Sequence, residues 1–558
     1  MDQPWWKRSI VYQIYPRSFM DSNQDGIGDL QGIISKLDYL DELGIDVIWL
    51  CPVYESPNYD NGYDVSDYKQ ILSDFGTMED FDELLALAHQ KGIKIIMDLV
   101  LNHTSDEHPW FLASQRSKDN AYRNYYIWRQ SDPSGKEPNN WRSVFGGSVW
   151  EYDDQTKEQY FHLFTTRQPD LNWEEPALRQ EIYDIMKWWL DKGIDGFRVD
   201  AATYIKKEPG LPNLPCGHGE RYVNAMAGYS NRPGIRDFMQ EMKEEVLNEY
   251  DCMTVAEACW LNPEEAASYV QEEEGFFNMI FQFEHMGVDR GNGKWDSQPW
   301  TVPDLKKRMA KWQLGLQGRG WNSLYLENHD QPRSVSRFGD EHTYHQASSK
   351  MLATFYMLMQ GTPFIYQGQE LGMTNVRLPD MESYQDVESH TYVRHARENG
   401  VSESDILQNL WRNSRDNART PMQWDHSEHS GFTKGTPWMS VNSNYEAINV
   451  ADQLKDPNSI LNYYKRLIEI RTKYEVAIFG DFELLDPDHE EIAVYTRSYQ
   501  DQVLIVVCNF KSGTPKFELA NYVQSTQAEQ LAGNYDCPIQ QIDFSLLQPY
   551  ECRVYLKS

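Results

Sequence analysis

An arginine and an aspartate two residues apart interrupt an apolar stretch of the sequence. Residues 193–205 read GIDGFRVDAATYI, with Arg198 and Asp200 on either side of Val199. Residues i and i+2 of a strand lie on the same face, so the guanidinium can hold the carboxylate in its ionised form. A buried pair of this kind can equally be a structural ion pair. The functional interpretation depends on whether other strands bring charged side chains to the same place.

Other apolar stretches also end in charged or ionisable side chains. These are Asp98 and His103, then Glu257, and then the group Glu327, His329 and Asp330. If Asp200, Glu257 and Asp330 converge, their mutual repulsion keeps one carboxyl group protonated while another stays ionised. Glycoside hydrolysis needs this combination, because an acid protonates the leaving oxygen while a carboxylate attacks the anomeric carbon.

Aromatic side chains near the same loops could provide faces for sugar rings. They include Tyr63, Trp110, Phe145 and Phe164. Aromatic residues more often belong to the hydrophobic core, so this observation adds little weight by itself.

Eight short, β-rich apolar runs alternate with longer stretches of helical periodicity. The runs are SIVYQIYP, IDVIWLCP, IKIIMDLVLNH, IDGFRVDAA, MTVAEA, FNMIFQFE, WNSLYLENHD and GTPFIYQGQE. Residues 29–44, between the first two runs, carry apolar side chains on one helical face, and Gly44 is the predicted end of that helix. Alternating strands and helices predict a parallel sheet, and eight strands predict an α/β fold of the closed TIM (β/α)8 barrel type. Its catalytic residues should lie at the carboxyl ends of the strands.

Two segments depart from this alternation. Residues 104–172 are polar, aromatic and rich in turn residues, which predicts an inserted subdomain after strand 3. Short alternating strands in residues 483–558 predict a C-terminal antiparallel β domain of the sandwich type. The catalytic barrel is then assigned to residues 1–103 and 173–482.

Composition and charge exclude several functional classes. The 558-residue chain carries a formal net charge of −33, which repels nucleic acid and anionic membranes, so we expect no nucleic-acid partner. It contains no apolar run long enough to cross a membrane and no apolar segment with a cleavage site at its start. Its seven cysteines form no CxxC pair, which argues against a zinc site or a disulfide framework. We expect a cytoplasmic monomer.

The charged strand ends resemble the motifs of a known enzyme family. DLVLNH (98–103), GFRVDAA (196–202), VAEA (255–258) and ENHDQPR (327–333) match, in order and spacing, the four motif regions of the α-amylase family, glycoside hydrolase family 13. QPDLNWE (168–174) and RDNARTPMQW (415–424) resemble its oligo-1,6-glucosidase and α-glucosidase subgroup. The resemblance extends over the whole chain.

The resemblance implies a role for each matching residue. Asp200 would be the nucleophile, Glu257 the general acid/base, and Asp330 the residue that binds the 2- and 3-hydroxyls and distorts the sugar. The residues implied to bind substrate are Asp60, Tyr63, His103, Phe145, Phe164, Gln168, Arg198, His329 and Arg415. Among them, Arg198 would orient Asp200, Tyr63 would stack beneath the glucose, and Asp60 with Arg415 would grip the 4-hydroxyl of a non-reducing end. Arg419 is the alternative to Arg415.

A separate loop has the pattern of a cation site. The segment DSNQDGIGD (21–29) has oxygen-bearing residues at positions 1, 3, 5 and 9 and Gly at position 6. The predicted ligands of a structural Ca²⁺ are Asp21, Asn23, Asp25, the backbone carbonyl of Ile27, and Asp29. The twelfth position is Gly32 rather than Glu, so the loop is not an EF-hand, and an ordinary polar turn is the alternative.

The residue after the nucleophile bears on the linkage that is cleaved. In the subgroup that the sequence resembles, Val at this position accompanies α-1,6 preference, whereas Ala or Thr accompanies α-1,4 preference and often activity on sucrose. The residue here is Ala201. We therefore expect a retaining, exo-acting α-glucosidase that favours maltose-type bonds of small oligosaccharides, with oligo-1,6-glucosidase as the alternative. A glucosyltransferase or sucrose isomerase using the same intermediate is a further alternative, and a non-enzymatic relative is disfavoured by the complete set of carboxylates.

Overall fold

The eight apolar runs form eight parallel strands in the computed structural model, which describes residues 3–131, 136–217, 219–518, 528–535 and 545–557. The strands are β1 (Val11–Ile14), β2 (Val47–Leu50), β3 (Lys94–Val100), β4 (Gly196–Asp200), β5 (Met253–Glu257), β6 (Met279–Phe281), β7 (Ser323–Leu324) and β8 (Thr362–Tyr366). They are ordered β6, β5, β4, β3, β2, β1, β8, β7. A parallel bridge between Ile280 and Asn322 joins the two ends of this sheet. The arrangement confirms the predicted TIM barrel.

Helices on the outside of the barrel follow the strands in sequence. They are α1 (Leu30–Ile34), α2 (Leu37–Leu43), α3 (Met78–Gln90), α4 (Pro176–Lys192), α5 (Ile235–Glu245), α6 (Pro263–Val270), α7 (Val302–Leu316), α8 (His345–Met357) and α9 (Ile460–Lys473). The prediction of a single helix over residues 29–44 was wrong. The Ser35 hydroxyl donates to the carbonyl of Gly32, and this local bond competes with the helical pattern where α1 ends. Gly44 ends α2 in the left-handed conformation, as predicted.

The segment between β3 and α4 forms its own small sheet beside the barrel mouth. It contains a helix, Pro109–Arg116, and three antiparallel strands, Trp128–Arg129, Trp150–Asp153 and Glu158–Phe161. Its apolar core includes Trp141 and Phe161 and continues into Tyr204 and Tyr229, which follow β4. Through this packing the insertion contacts the segment that follows the predicted nucleophile, Asp200.

A helical hairpin after β8 was not predicted from the sequence. Its helices, Val387–Glu398 and Glu403–Asn413, pack around a separate apolar cluster that includes Ile406 and Leu410. The remaining short helices are Met226–Tyr229, Ser334–Phe338, Asp416–Arg419, Val450–Gln453 and Glu475–Phe479. The hairpin lies at the mouth, since His395 is the nearest neighbour of Gly146 in the insertion.

The C-terminal region is an antiparallel sheet packed on the barrel. Its strands are β9 (Asp481–Leu485), β10 (Ile492–Tyr499), β11 (Gln502–Asn509), β12 (Glu529–Gly533) and β13 (Cys552–Lys557), ordered β9, β10, β11, β13, β12. Leu504 and Val506 belong to the same apolar core as the barrel helices. The antiparallel C-terminal domain is confirmed, while the exact domain boundaries stay a prediction.

Two features bear on the expected cell compartment. Within the described ranges, none of the helices combines the length and apolarity that a membrane crossing requires. The six cysteines in those ranges are free thiols, and Cys537 lies outside them. Cytoplasmic location and a monomeric state stay predictions.

Candidate active site

Arg198 joins three carboxylates at the mouth of the barrel. One of its terminal nitrogens, Nη1, donates to Asp98 Oδ1 at 2.6 Å and to Asp200 Oδ1 at 2.5 Å, and Nη2 donates to Glu257 Oε2 at 2.7 Å. These residues meet because β3, β4 and β5 are neighbours in the sheet and Arg198 lies opposite Asp98 in the register. Arg198 is 2% exposed. The buried Arg-x-Asp pair of the sequence is therefore the centre of a shared charge cluster.

Asp98 supports this cluster from below. Its Oδ2 accepts hydrogen bonds from Trp49 Nε1 at 2.9 Å and from the Tyr63 hydroxyl at 3.2 Å. Asp98 is fully enclosed, whereas Asp200 and Glu257 retain some exposed side-chain surface. Asp98 thus fixes the guanidinium, and the other two carboxylates face the space that a substrate would enter.

The two carboxylates that face the substrate space have raised and different pKa values. Burial raises the pKa of Asp200 to about 6, because the nearby Arg198 offsets only part of the desolvation cost. Burial raises the pKa of Glu257 to about 7 together with the charges of Asp200 and Asp330, although the nearby Arg198 lowers it. Between these values Asp200 is mainly ionised and Glu257 mainly protonated, which is the state that a nucleophile and an acid require.

Asp330 is held as a carboxylate. Burial alone would raise its pKa, but His329, Arg415 and Arg419 together hold it well below its usual range. Arg419 Nη2 donates to Asp330 Oδ1 at 2.9 Å, and His329 Nε2 lies 3.2 Å from Asp330 Oδ2. A permanently ionised acceptor at this position suits binding of sugar hydroxyls.

These pKa values predict a bell-shaped pH dependence of kcat/KM. As the pH is lowered, kcat/KM should decrease around pH 6, where Asp200 gains its proton. As the pH is raised, kcat/KM should decrease around pH 7, where Glu257 loses its proton. Because both groups share Arg198, the two apparent values belong to the pair. The profile is measured with an unactivated disaccharide across the pH range in which the protein stays folded. A flat profile from about pH 5 to about pH 8 would contradict the assignment.

One end of the pocket is closed by an ion pair between two loops. Arg415 Nη2 donates to Asp60 Oδ1 at 2.9 Å, so the loop after β2 meets the segment after β8. Gln168 Nε2 donates to Asp60 Oδ2 at 3.1 Å from the end of the insertion. The Asp386 carboxylate fixes the Arg415 side chain by accepting hydrogen bonds from Nε at 2.9 Å and from Nη2 at 2.5 Å. Three separate loops therefore meet at the Asp60 carboxylate.

The predicted histidines and aromatic residues line the same space. Tyr63 stacks on His329 with ring centroids 5.2 Å apart, and Phe164 lies 4.9 Å from His103. Burial lowers the pKa of His103 to about 4 and also lowers that of His329, so both are neutral hydrogen-bonding groups at neutral pH. Phe145 packs under the Arg415 guanidinium at 5.4 Å. Every predicted catalytic and substrate-binding residue thus belongs to one contiguous site.

Some residues singled out in the sequence lie elsewhere, and others were missed. Trp110 packs against His108 and Tyr125 in the insertion, where it belongs to the packing rather than to the pocket. Glu327 accepts from Ser334 inside the barrel wall. Asp386 could not be predicted from the sequence, because it lies in the unpredicted helical region and does not follow a strand.

In the predicted calcium loop, backbone N–H groups of the chain donate hydrogen bonds to the Asp21 and Asp29 carboxylates. Asp21 Oδ1 accepts from the backbone nitrogens of Asn23 and Gln24 at 3.0 and 2.7 Å, and Asp21 Oδ2 accepts from Gly26 N at 2.8 Å. Asp29 caps α1 by accepting from Gly32 N at 2.6 Å. In the described part of the chain, no three His, Cys, Asp or Glu side chains are grouped to hold a metal. The predicted ligands also include an amide and a backbone carbonyl, and the calcium site stays a prediction.

Comparisons find known proteins that are similar to this chain over almost its whole length. The model of the alpha amylase catalytic domain matches residues 13–480, and that of the maltogenic amylase C-terminal domain matches residues 482–554. An oligo-1,6-glucosidase of Parageobacillus thermoglucosidasius is 54% identical, covering 100% of this chain and 99% of that protein. A trehalose-6-phosphate hydrolase structure from Bacillus licheniformis is 44% identical with a TM-score of 0.93, covering 99% of this chain and 100% of that one. An isomaltulose synthase structure from Erwinia rhapontici NX5 is 40% identical with a TM-score of 0.95, covering 100% of both chains.

Proposed function

Because the chain belongs to the α-amylase family and is a glycoside hydrolase of the α-glucosidase type, we propose that it releases glucose from the non-reducing end of short α-glucosides with retention of configuration. The observation that carries the exo-acting part of this proposal is the closed end of the pocket, where Asp60 and Arg415 form a buried ion pair. A chain that continued past this pair would have to displace it. The substrate is a small carbohydrate whose terminal glucose fills the pocket.

The proposed reaction has two steps at one carbon. Asp200 attacks the anomeric carbon while Glu257 gives its proton to the leaving oxygen, so the glycosidic bond breaks and a covalent β-glucosyl ester forms. Glu257, now ionised, removes a proton from water, which attacks the same carbon and releases Asp200. Arg198 contacts both carboxylates and supports the charge that moves between them. Asp330 binds the ring hydroxyls in the proposal.

We propose that α-1,4 bonds of maltose-type substrates are favoured, with sucrose as a further substrate. Support comes from Ala201, whose backbone nitrogen donates to Glu257 Oε2 at 3.2 Å. Ala201 therefore adjoins both catalytic carboxylates, and its buried methyl group belongs to the apolar cluster that contains Phe161 and Tyr204. In the proposal, this small side chain leaves room beside the leaving sugar. Ala201 has a φ of +45°, a left-handed conformation that costs a β-branched residue more than alanine.

The second candidate is an oligo-1,6-glucosidase. The observation in its favour is that the relative at 54% identity has this name. The two candidate functions share every catalytic step. They differ only in how the leaving sugar is bound, and therefore in the linkage that is cleaved.

The experiment that separates them is the ratio of kcat/KM for maltose and isomaltose, with sucrose measured in parallel. The proposal predicts a clear preference for maltose. A preference for isomaltose would reject the α-1,4 proposal and favour the second candidate. Absence of glucose release from all three sugars would reject α-glucosidase activity on disaccharides altogether.

Transfer of the glucosyl group to a sugar hydroxyl uses the same intermediate, with the acceptor replacing water. A structure at 40% identity carries the name isomaltulose synthase, which makes this reaction a reasonable side activity to measure. Product analysis with a disaccharide at high concentration distinguishes the two outcomes, since transfer gives new di- or trisaccharides and hydrolysis gives only free monosaccharides.

The proposed Ca²⁺ in loop 21–29 predicts a stabilising effect of calcium. A ligand that binds only the folded state raises the free energy of unfolding, by about 2.7 kcal/mol at one hundred times its Kd. The Tm should therefore be higher in calcium than after dialysis against a chelator, and Asp25→Ala should remove the difference. The exposed Asp25 side chain makes few other contacts, so this variant should fold. Equal Tm values in calcium and chelator would support the polar-turn alternative.

A further inference from the structure

A cavity separate from the candidate active site lies where the insertion meets the barrel. It has a volume of about 480 Å³, and its walls come from residues 123–129 of the insertion, from residues 171–174, and from residues 205–211, which follow β4. The residues assigned to catalysis and substrate binding, all of which the structure describes, do not contribute to these walls. Small-molecule sites have volumes of about 300–1,000 Å³, so the cavity is large enough for a sugar derivative.

One wall of the cavity has a strained backbone. Gly210 has a φ of +78°, and the bulkier Leu211 has a φ of +49°. The left-handed conformation is uncommon for a residue of this size. Among the described residues, no heavy atom lies within 4 Å of the point where a side chain at Gly210 would begin, so this turn faces open space. Strain of this kind persists where the surrounding structure enforces it, often at ligand sites.

Basic side chains outnumber acidic ones on the walls, which is the reverse of the chain as a whole. The whole chain has 52 Lys and Arg residues against 85 Asp and Glu residues. The charged side chains of the walls are Arg123, Arg129, Lys206, Lys207, Glu174 and Glu208. A protein with a net charge of −33 repels small anions over most of its surface, so a local excess of cations favours an anionic ligand here.

Two of these cations are bound within the protein. Arg123 donates to the Ser114 carbonyl and to the Glu158 carboxylate. Lys207 Nζ lies 2.6 Å from Asp170 Oδ2. Both basic side chains are buried. They therefore hold the walls together rather than bind a ligand.

The other two cations can bind a ligand. Arg129 Nη1 donates to the Trp128 carbonyl, and within the described ranges Arg129 has no carboxylate partner. Lys206 pairs with Glu174, whose side chain is 59% exposed, and ion pairs open to water are weak. A guanidinium binds phosphate through two parallel hydrogen bonds. Because Arg129 lies on the insertion and Lys206 on the segment after β4, a phosphate bound by both would join two walls.

The aromatic rings of the cavity favour this charged ligand over a neutral sugar. Trp128 is 8% exposed, with the Arg123 guanidinium 3.6 Å from its ring centroid and Phe111 stacked on it at 5.7 Å. Trp173 is 1% exposed. Neither ring therefore presents a free face to a sugar. Asn172 also lines the cavity, and an amide side chain suits the hydroxyl groups of a phosphorylated sugar.

The walls of the cavity also contact the substrate pocket. Lys207 Nζ donates to Asn102 Oδ1 at 2.8 Å, and Asn102 Nδ2 lies 3.3 Å from His103 Nδ1. Leu211 packs in the same apolar cluster as Ala201, the residue after the proposed nucleophile. A ligand that fixes these walls would therefore fix residues on the substrate side as well.

We propose that this cavity binds a phosphorylated monosaccharide, whose phosphate contacts Arg129 and Lys206, and that this binding strengthens substrate binding in the neighbouring pocket. The coupling is a free energy shared between the two sites, so each ligand tightens the binding of the other. The site goes beyond the proposed function, because its occupation requires no hydrolysis.

Isothermal titration calorimetry tests the site directly. Glucose 6-phosphate and inorganic phosphate are titrated into the unmodified protein in excess glucose, which occupies the substrate pocket under the proposed function. We expect one glucose 6-phosphate per chain and weaker binding of inorganic phosphate. Equal affinities would show a site for the anion alone and overturn the sugar ligand. Absence of binding by either probe would overturn the site.

Substitution of Arg129 locates the ligand. Arg129→Gln should weaken the binding of glucose 6-phosphate about tenfold or more, since it removes a charged hydrogen bond. Arg129→Lys keeps the charge and should lose less affinity. Arg116→Gln is the matched control, because Arg116 is an exposed arginine at the end of the insertion helix Pro109–Arg116 and lies outside the cavity walls. Equal losses in Arg129→Gln and Arg116→Gln, or an unchanged affinity in Arg129→Gln, would overturn the role of Arg129.

The coupling is tested by the KM for the preferred disaccharide. Glucose 6-phosphate at a concentration that saturates the unmodified protein should lower this KM about fivefold, the low end of typical coupling between sites, and should have little effect on Arg129→Gln. A KM raised equally in both proteins would place the ligand in the substrate pocket and overturn the proposal. Binding without a change in KM would overturn the coupling. If the proposed function failed instead, no disaccharide would be hydrolysed, but the binding seen by calorimetry would remain.

Discussion

Asp200→Asn is expected to lose nearly all glycoside hydrolysis while keeping its fold and its ability to bind sugar. The amide cannot form the glucosyl ester, so the first step has no nucleophile. The substitution is nearly isosteric, and the amide oxygen can still accept from Arg198 Nη1, which Asp98 and Glu257 continue to hold. The loss should appear in kcat for activated and unactivated substrates alike, because both need the nucleophile.

The stability of this variant provides an internal check. The pKa of Asp200 is raised by burial from 3.8 to about 6. The folded state therefore binds the proton more tightly than the unfolded state, and stability is lost as the pH rises from about 3.8 to about 6. Replacing the carboxylate by a neutral amide removes this cost, so the Tm of Asp200→Asn at pH 7.5 should equal or exceed that of the unmodified protein.

Asp46→Asn is the matched control. Asp46 lies at the amino end of β2, where its Oδ2 accepts from Ile10 N at 2.8 Å, on the face of the barrel opposite the mouth. This variant should keep its activity. An Asp200→Asn protein that retained a tenth of the original rate would contradict the assignment of the nucleophile.

Glu257→Gln is expected to impair substrates according to their leaving groups. Sugar leaving groups need the proton that Glu257 supplies, whereas fluoride and activated aryl leaving groups depart without it. The kcat/KM of the variant for a disaccharide should therefore fall about 10²–10⁴-fold, the range typical of general acid catalysis. Its kcat/KM for α-glucosyl fluoride should fall far less. The amide oxygen can keep the contact with Arg198.

The measurement is kcat/KM, which reports the first step with each substrate. Small nucleophiles such as azide provide a second readout, because they need no base to attack the glucosyl ester and should accelerate its breakdown in the variant. Similar losses on the disaccharide and on α-glucosyl fluoride would argue that Glu257 positions Asp200 through Arg198 and does not act as the acid.

Strand ends were the most informative part of the sequence. Buried parallel strands read as continuous apolar runs, so Asp98, Asp200 and Glu257 stand out against them, and the barrel topology brings the ends of β3, β4 and β5 together. The fold class and the convergence of these carboxylates could therefore be predicted from residue patterns. The resemblance to a family supplied individual roles that spacing alone does not give.

Loops were less predictable, for physical reasons. Asp386 precedes an amphipathic helix in a region whose position is set by packing with the mouth, and nothing local marks it as the partner of Arg415. The choice between Arg415 and Arg419 also needed the structure. Both approach Asp330, but Arg415 is the one that donates to Asp60. The break between α1 and α2 lies at Lys36, which leaves the helical conformation with φ −113° and ψ 5°, and apolar periodicity does not reveal it.

The most direct test of the proposed mechanism is mass spectrometry of the covalent intermediate. A 5-fluoro-α-glucosyl fluoride reacts readily because its leaving group is activated, while the ring fluorine slows the attack of water on the ester. The proposed mechanism predicts that the protein gains the mass of one fluoroglucosyl group, that the label lies on the peptide containing Asp200, and that Asp200→Asn gains none. A label on a different residue, or no label on an enzyme that still turns over its natural substrate, would contradict the assignment of Asp200 as the nucleophile.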